Sequence, residues 1–144
     1  MNCPDLTTVC GIVWTLATGH PDAAALAAFA DSARVPHTVV WAIAWQESRH
    51  NTNPALRGSA GEWGRMQILP STARHICPTL DVRTYLGNVA CGVRLLRGHY
   101  ARTGSWVLAI RAYQCPRCTR DTAYQRSVLE RVGRIELRLK ELQP

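Results

Sequence analysis

A chain of 144 residues with 47% apolar and 19% charged residues has the size and composition of one folded domain, which excludes a disordered chain. Its formal charge of +7 points to an acidic or polyanionic partner, with nucleic acid, anionic polymer and anionic lipid all compatible. The longest apolar run, Cys10 to Ala17, is less than half the roughly 20 residues that a membrane span needs, and no positive charge precedes it, so neither an integral membrane segment nor a signal peptide is expected.

Residues 1–20 are weakly patterned and read as a terminal strap held by Cys3 and Cys10. Pro21 and Asp22 suit the first turn of an alanine-rich helix that reaches Arg34, with Leu26 and Phe29 on one side. Pro36 starts a central helix running to about His50, stopped by Asn51, Asn53 and Pro54. A loop follows, with Gly58, Gly61 and Gly64 at three-residue intervals, and then a short helix expected to be capped by Ser71. After an irregular stretch from Pro78 to Gly87, a long helix is expected from Asn88 to Gly104, with Val89, Val93, Leu96 and Tyr100 along one face. Another covers Trp106 to Gln114 and is closed by Pro116. The last, over residues 122–142, carries Val128, Val132, Ile135, Leu139 and Leu142 at spacings of four and three, too short a run for a coiled coil. The fold class is mainly α, a single domain over 1–144 without internal repeats.

Six cysteines, Cys3, Cys10, Cys77, Cys91, Cys115 and Cys118, favour disulfides and an oxidising compartment. Cys77 and Cys91 flank one turn-rich segment and form the preferred pair. The CPRC of Cys115 to Cys118 has the spacing of a half zinc site, and with Cys3 and Cys10 it makes a four-thiolate set in principle. The gap from Cys3 to Cys10 is wide for a zinc knuckle, and no βαβ pattern suggests a redox CxxC, so neither metal nor redox chemistry is the expectation.

Between Asp31 and Asp121 the chain has only three acids: Glu47, Glu62 and Asp81. Glu47 falls on the helical stripe of Val40, Ile43 and Ala44, an unusual place for a charge. Burial and the negative end of its own helix both favour the protonated form, as a general acid requires. The glycine-spaced loop leads into Gly64, Met66 and Gln67, a stretch suited to close approach of a ligand, with an adaptable apolar wall and an amide. Tyr113 is positioned to present its hydroxyl to Glu47.

Glu47-Ser48, Asn53-Pro54, GEWGRMQILPSTA, Asn88 with Gly92, and Ala112-Tyr113 stand in the order found in lytic transglycosylases of the soluble type, relatives of goose-type lysozymes, which this chain resembles over about residues 35–130. The resemblance implies a lysozyme-like helical fold whose irregular loops line a sugar cleft. It implies cleavage of the β-1,4 bond between N-acetylmuramic acid and N-acetylglucosamine in peptidoglycan, without metal or organic cofactor. Glu47 would be the catalytic acid and base, Ser48 would support its helix end, Gly64, Met66 and Gln67 would line the sugar site, and Tyr113 would hydrogen-bond near the acid. The substrate's N-acetyl group would stabilise the cationic centre and its C6 hydroxyl would close a 1,6-anhydro ring, so one carboxyl group suffices.

This chain departs from the family in Gln114, where Asn is usual after the tyrosine, and in Pro116, which replaces a glycine. The loop after Glu47 is slightly long, so the substrate-binding serine corresponds to Ser59 or is replaced by Gly58. Glu62 stands where a small residue is common, either as a solvated acid or as a second carboxylate that directs water. A hydrolytic muramidase and an inactive peptidoglycan-binding module are thus the alternatives. Nucleic acid is not an expected partner, because the arginines are scattered and not gathered in a motif. A monomer acting outside the cytoplasm, in the periplasm or wall or on a phage particle, fits the resemblance.

Overall fold

The structure, a computed structural model, describes residues 9–20 and 22–142, with side chains from residue 13 onward. Seven helices occur among the described residues: α1 Val9–Thr18, α2 Ala23–Ser32, α3 His37–Ser48, α4 Pro70–Ile76, α5 Tyr85–Thr103, α6 Trp106–Gln114 and α7 Ala123–Glu141. The segment expected as a strap thus contains a helix. Cys3 and the side chain of Cys10 lie outside the described residues.

Helix α3 is the axis of the fold. Every residue from Thr38 to Ala44 is buried, so this part of the helix has no polar face and packs against both α2 and α7. A helix apolar all round belongs inside a core. The stripe expected to carry Glu47 is therefore not a stripe: after Thr38, no polar residue occurs until Gln46, where the helix leaves the core. It ends earlier than the asparagines and Pro54 suggested. Arg49 adopts the left-handed conformation (φ 54°), its N–H donates to the Trp45 carbonyl at 2.9 Å, and its guanidinium donates to the carbonyls of Trp45 (3.0 Å) and Gln46 (3.2 Å). A cation thereby caps the negative end of the helix.

Two other boundaries shift for identifiable reasons. Helix α4 starts at Pro70, whose fixed φ and missing N–H suit the first position, so Ser71 lies within the first turn and caps nothing. Helix α5 starts at Tyr85, three residues before Asn88, because the Thr84 hydroxyl accepts from the Gly87 N–H at 3.1 Å. Elsewhere the helices follow the sequence reading closely. Gly104 closes α5 with φ 67°, and Thr122 and Gln125 form a reciprocal capping box at the start of α7. The segment between α3 and α4 is loop with two isolated antiparallel bridges, Arg57 with Trp63 and Trp63 with Ile68.

Cys77 at the end of α4 is bonded to Cys91 of α5 across a Cα–Cα distance of 5.7 Å, as the sequence suggested. Cys115 and Cys118 are bonded to each other, with 5.4 Å between Cα atoms, and close the turn from α6 to α7. Sulfurs joined in a disulfide are not thiolate ligands, which removes the four-cysteine zinc site.

The loop is pinned to the core by Met66, whose side chain is fully buried over Gly92 of α5. A Cβ at Gly92 would lie 2.8 Å from Cβ, Cγ and Cε of Met66, closer than side-chain carbons pack. Gly92→Ala is expected to destabilise the protein by about 1–3 kcal/mol, the usual cost of overpacking, measured as a lowered urea midpoint with unchanged m-value.

Candidate active site

Glu47 lies in the last turn of α3, at the point where the buried helix reaches the surface, and is half-buried. One oxygen, Oε1, accepts a hydrogen bond of 2.5 Å from the hydroxyl of Tyr124 in the first turn of α7. Burial pushes the carboxyl up from an ordinary value of 4.5 to about 7, the bond from Tyr124 opposes the rise, and the negative charge of Glu62 adds to it. A carboxyl titrating near neutrality exists in both forms under working conditions, so it can donate a proton in one step and accept one in the next. Ser48 helps to hold this last turn, its hydroxyl donating to the Ala44 carbonyl at 3.0 Å.

The loop facing this helix is fixed by two buried polar hubs. Asn88 Oδ1 accepts from the Met66 N–H at 2.8 Å, and its amide donates to the carbonyls of Trp63 (2.7 Å) and Val82 (3.1 Å). Gly64 (φ 70°) permits this approach, since a Cβ there would fall 2.6 Å from the Asn88 amide nitrogen. Arg65, only 2% exposed, donates to Asp22, to the Tyr85 hydroxyl (2.9 Å) and to His50 Nδ1 (2.8 Å). Because a guanidinium only donates, Nδ1 of His50 must accept and the ring is neutral; burial and the positive charges of His20 and Arg131 push it down to about 3. The buried cation is thus compensated by Asp22 and oriented by neutral groups, which holds the loop against α2 and α5.

Above these hubs Glu62 and Gln67 come together. Gly58 is the floor between them: a Cβ there would lie 2.2 Å from Glu62 Oε2 and 2.4 Å from Gln67 Oε1. Glu62 Oε2 also accepts from the Ala60 N–H at 3.0 Å. Gln67 has a left-handed backbone (φ 49°), rare for a non-glycine residue, and its amide donates to the Gly64 carbonyl at 2.7 Å. Such a conformation, held by surrounding contacts, is common where side chains are aimed at a ligand.

Several expected site residues have other placements. Tyr113 does not hydrogen-bond Glu47. Its hydroxyl donates to the Met66 carbonyl at 2.8 Å, and burial together with the charge of Glu47 pushes it well above the ordinary tyrosine range. Met66 offers no wall to a sugar, because its side chain is wholly in the core. Gly64 is buried and serves Asn88, not a ligand. Ser59 and Gln114 are exposed, and neither side chain joins the cluster by a hydrogen bond. The partner that sequence reasoning missed is Tyr124. A signal existed: Tyr124, Val128, Arg131 and Ile135 recur at helical spacing, so the tyrosine extends the inward face of α7 by one turn.

Among the described residues no group of three or more His, Cys, Asp or Glu side chains is arranged to hold a metal ion. Residues 25–127 match the family model described as Transglycosylase SLT domain. No curated protein matches the chain significantly.

Two outcomes follow from the state of Glu47. An acid with a raised folded-state value is charged at a cost that is absent below about pH 4.5 and complete above about pH 7. Glu47→Gln removes this cost, so its melting temperature is expected to exceed that of the native protein at pH 8 and to equal it at pH 4; the same difference at both values would show that charge is not the cause. Tyr124→Phe removes the group that lowers the value. The carboxyl carbon signal of Glu47 is then expected to titrate about one pH unit higher, the equivalent of one charge-assisted hydrogen bond.

Proposed function

The chain belongs to the transglycosylase SLT domain family, whose action is of the lytic transglycosylase type on peptidoglycan, and on that premise we propose that it cleaves the β-1,4 bond between N-acetylmuramic acid and N-acetylglucosamine with Glu47 as its one essential carboxyl group. The observation that carries the proposal is the half-buried carboxyl, titrating near pH 7 and held by Tyr124. Protonated Glu47 gives its proton to the glycosidic oxygen as the bond to the muramic C1 breaks. The carboxylate left behind is stabilised by the Tyr124 hydroxyl and takes the proton of the muramic C6 hydroxyl, whose oxygen attacks C1 and closes the 1,6-anhydro ring. Glu62 and Gln67 bind the sugar beside the acid, while Tyr113, Asn88 and Arg65 position the loop that carries them. The substrate places this action outside the cytoplasm, and residues 1–144 act as one domain of a monomer.

A second reading, hydrolysis, is favoured by one observation: Glu62 is close enough to raise the pKa of Glu47, and its carboxylate is held by the Ala60 N–H. A carboxylate so placed can orient water toward C1 in competition with the C6 hydroxyl.

Digestion of purified sacculi separates these readings. Glu47→Gln is expected to lower muropeptide release by at least about 100-fold, the scale of general acid–base catalysis. Products with 1,6-anhydro ends support the transglycosylase, whereas reducing ends, one water heavier, support hydrolysis. Should Glu62→Gln raise the anhydro fraction, Glu62 directs the water. Binding of sacculi by the native protein without any release would reduce the chain to an inactive binding module.

A further inference from the structure

A cavity of about 250 Å³ lies among the end of α1, α3 and the outer half of α7. Its lining includes Thr18, His20, Trp41 and Trp45 together with Arg131, Arg134 and Arg138, which lie on consecutive turns of α7. Three arginines and no acidic residue line one small volume. The acids of the same helix do not change this. Glu130 and Glu141 pair with Arg134 and Arg138 at the surface, in exposed pairs that cost little to redirect, and Glu136 accepts from Thr38 on α3.

Arg131 shows the imbalance most clearly. Its guanidinium lies 3.0 Å from the centroid of the Trp45 ring, and its Nε is buried without a hydrogen-bond partner. Arg49 stacks on the same ring at 3.8 Å, so two cations share one indole. Burial and the charges of Arg49 and Arg134 all push Arg131 below the ordinary arginine value, with only Glu130 acting against them. An anion in the cavity would relieve the repulsion among these guanidinium groups.

From this arrangement we infer that the cavity between α1, α3 and α7 binds a phosphate group. A phosphate carries more charge than a carboxylate and has enough oxygens to accept from several guanidinium forks at once. Ala17, Ile135 and the indoles of Trp41 and Trp45 make the rest of the lining largely apolar. Free phosphate and the phosphate of an anionic lipid headgroup present the same chemistry to the arginines. The site adjoins the cleavage site at one end, where Trp45 lies two residues before Glu47, and runs away from it along α7, whose 14 residues between Tyr124 and Arg138 span about 20 Å, so that Arg134 and Arg138 are clear of the catalytic carboxyl. It would therefore hold the enzyme to a phosphate-bearing surface while Glu47 works on the glycan.

The test uses the full chain, titrated with inorganic phosphate by calorimetry and sedimented with vesicles of phosphatidylglycerol in phosphatidylcholine. Saturable phosphate binding, weakened at least about tenfold in Arg134→Ala/Arg138→Ala but not in the charge-matched Arg94→Ala/Arg120→Ala, is the expected result and identifies free phosphate as a ligand. Sedimentation with phosphatidylglycerol and not with pure phosphatidylcholine, lost in the first double variant only, identifies the lipid headgroup. Equal weakening in both double variants would overturn the inference, since net charge alone would then explain binding. So would acetate competing as well as phosphate. Neither arm reads glycan cleavage, so the result is independent of the proposed catalytic activity.

Discussion

The hydrogen bond from Tyr124 to Glu47 joins the two helices on which the site depends, and it does so at the edge of the core. Helix α3 is buried on every side from Thr38 to Ala44, so its last turn is the first place along it where a charge is tolerable. There burial is sufficient to raise the carboxyl pKa to about 7, and one hydroxyl donor is sufficient to keep the anion accessible. Were the carboxyl deeper, it would stay protonated; were it fully solvated, it would stay ionised. The position of the α3 terminus, set by the left-handed Arg49 and its bonds to the last carbonyls, therefore has chemical consequences.

The loop opposite needs a different kind of support, because it has almost no regular secondary structure to satisfy its backbone. Asn88 satisfies two groups of this loop and the Val82 carbonyl of the α4–α5 connection from its seat on α5, and Arg65 ties the loop to α2, α5 and the end of α3 through Asp22, Tyr85 and His50. Both hubs are buried; Asn88 has its amide oxygen and nitrogen bonded, whereas Arg65 Nε and His50 Nε2 have no hydrogen-bond partner, so the Arg65 hub fixes its geometry at a higher cost. Glycines mark where partners come close. Gly92 lies beneath Met66, Gly64 beside Asn88 and Gly58 beneath Glu62 and Gln67. The disulfides work at the same scale. Cys77–Cys91 joins α4 to α5, and Cys115–Cys118 shortens the connection between the helix bearing Tyr113 and the helix bearing Tyr124.

The helical architecture was legible because helix signals are local. The spacing of Val128, Val132, Ile135 and Leu139, the glycine at 104 and the proline at 116 act over one or two turns, and the structure follows them. Where boundaries moved, another local feature prevailed: the Thr84 hydroxyl over the expected start at Asn88, and the geometry of Pro70 over a Ser71 cap. The pairing of Cys77 with Cys91 was readable from their position around one short segment, and the order of five motifs marked the family.

The sequence by itself determined that this is a helical single-domain chain, that Glu47 is the acid to examine, and that the GRMQ loop belongs with it. It left the partners of that acid open. Tyr113 and Met66 belong to recognisable motifs, but the Tyr113 hydroxyl, near Glu47, donates to the Met66 carbonyl and not to the acid, and the Met66 side chain is sealed in the core. Tyr124, Arg65 and the grouping of Glu62 with Gln67 over Gly58 depend on contacts between residues far apart in the chain, as in the 77-residue separation of Tyr124 and Glu47. Helical spacing puts Tyr124 on the inward face of α7, but no periodicity tells which residue of another element it meets. Only the packing of α7 on α3, and of the loop on α5, decides which donor reaches the acid and how much water it loses, and these two quantities set its pKa.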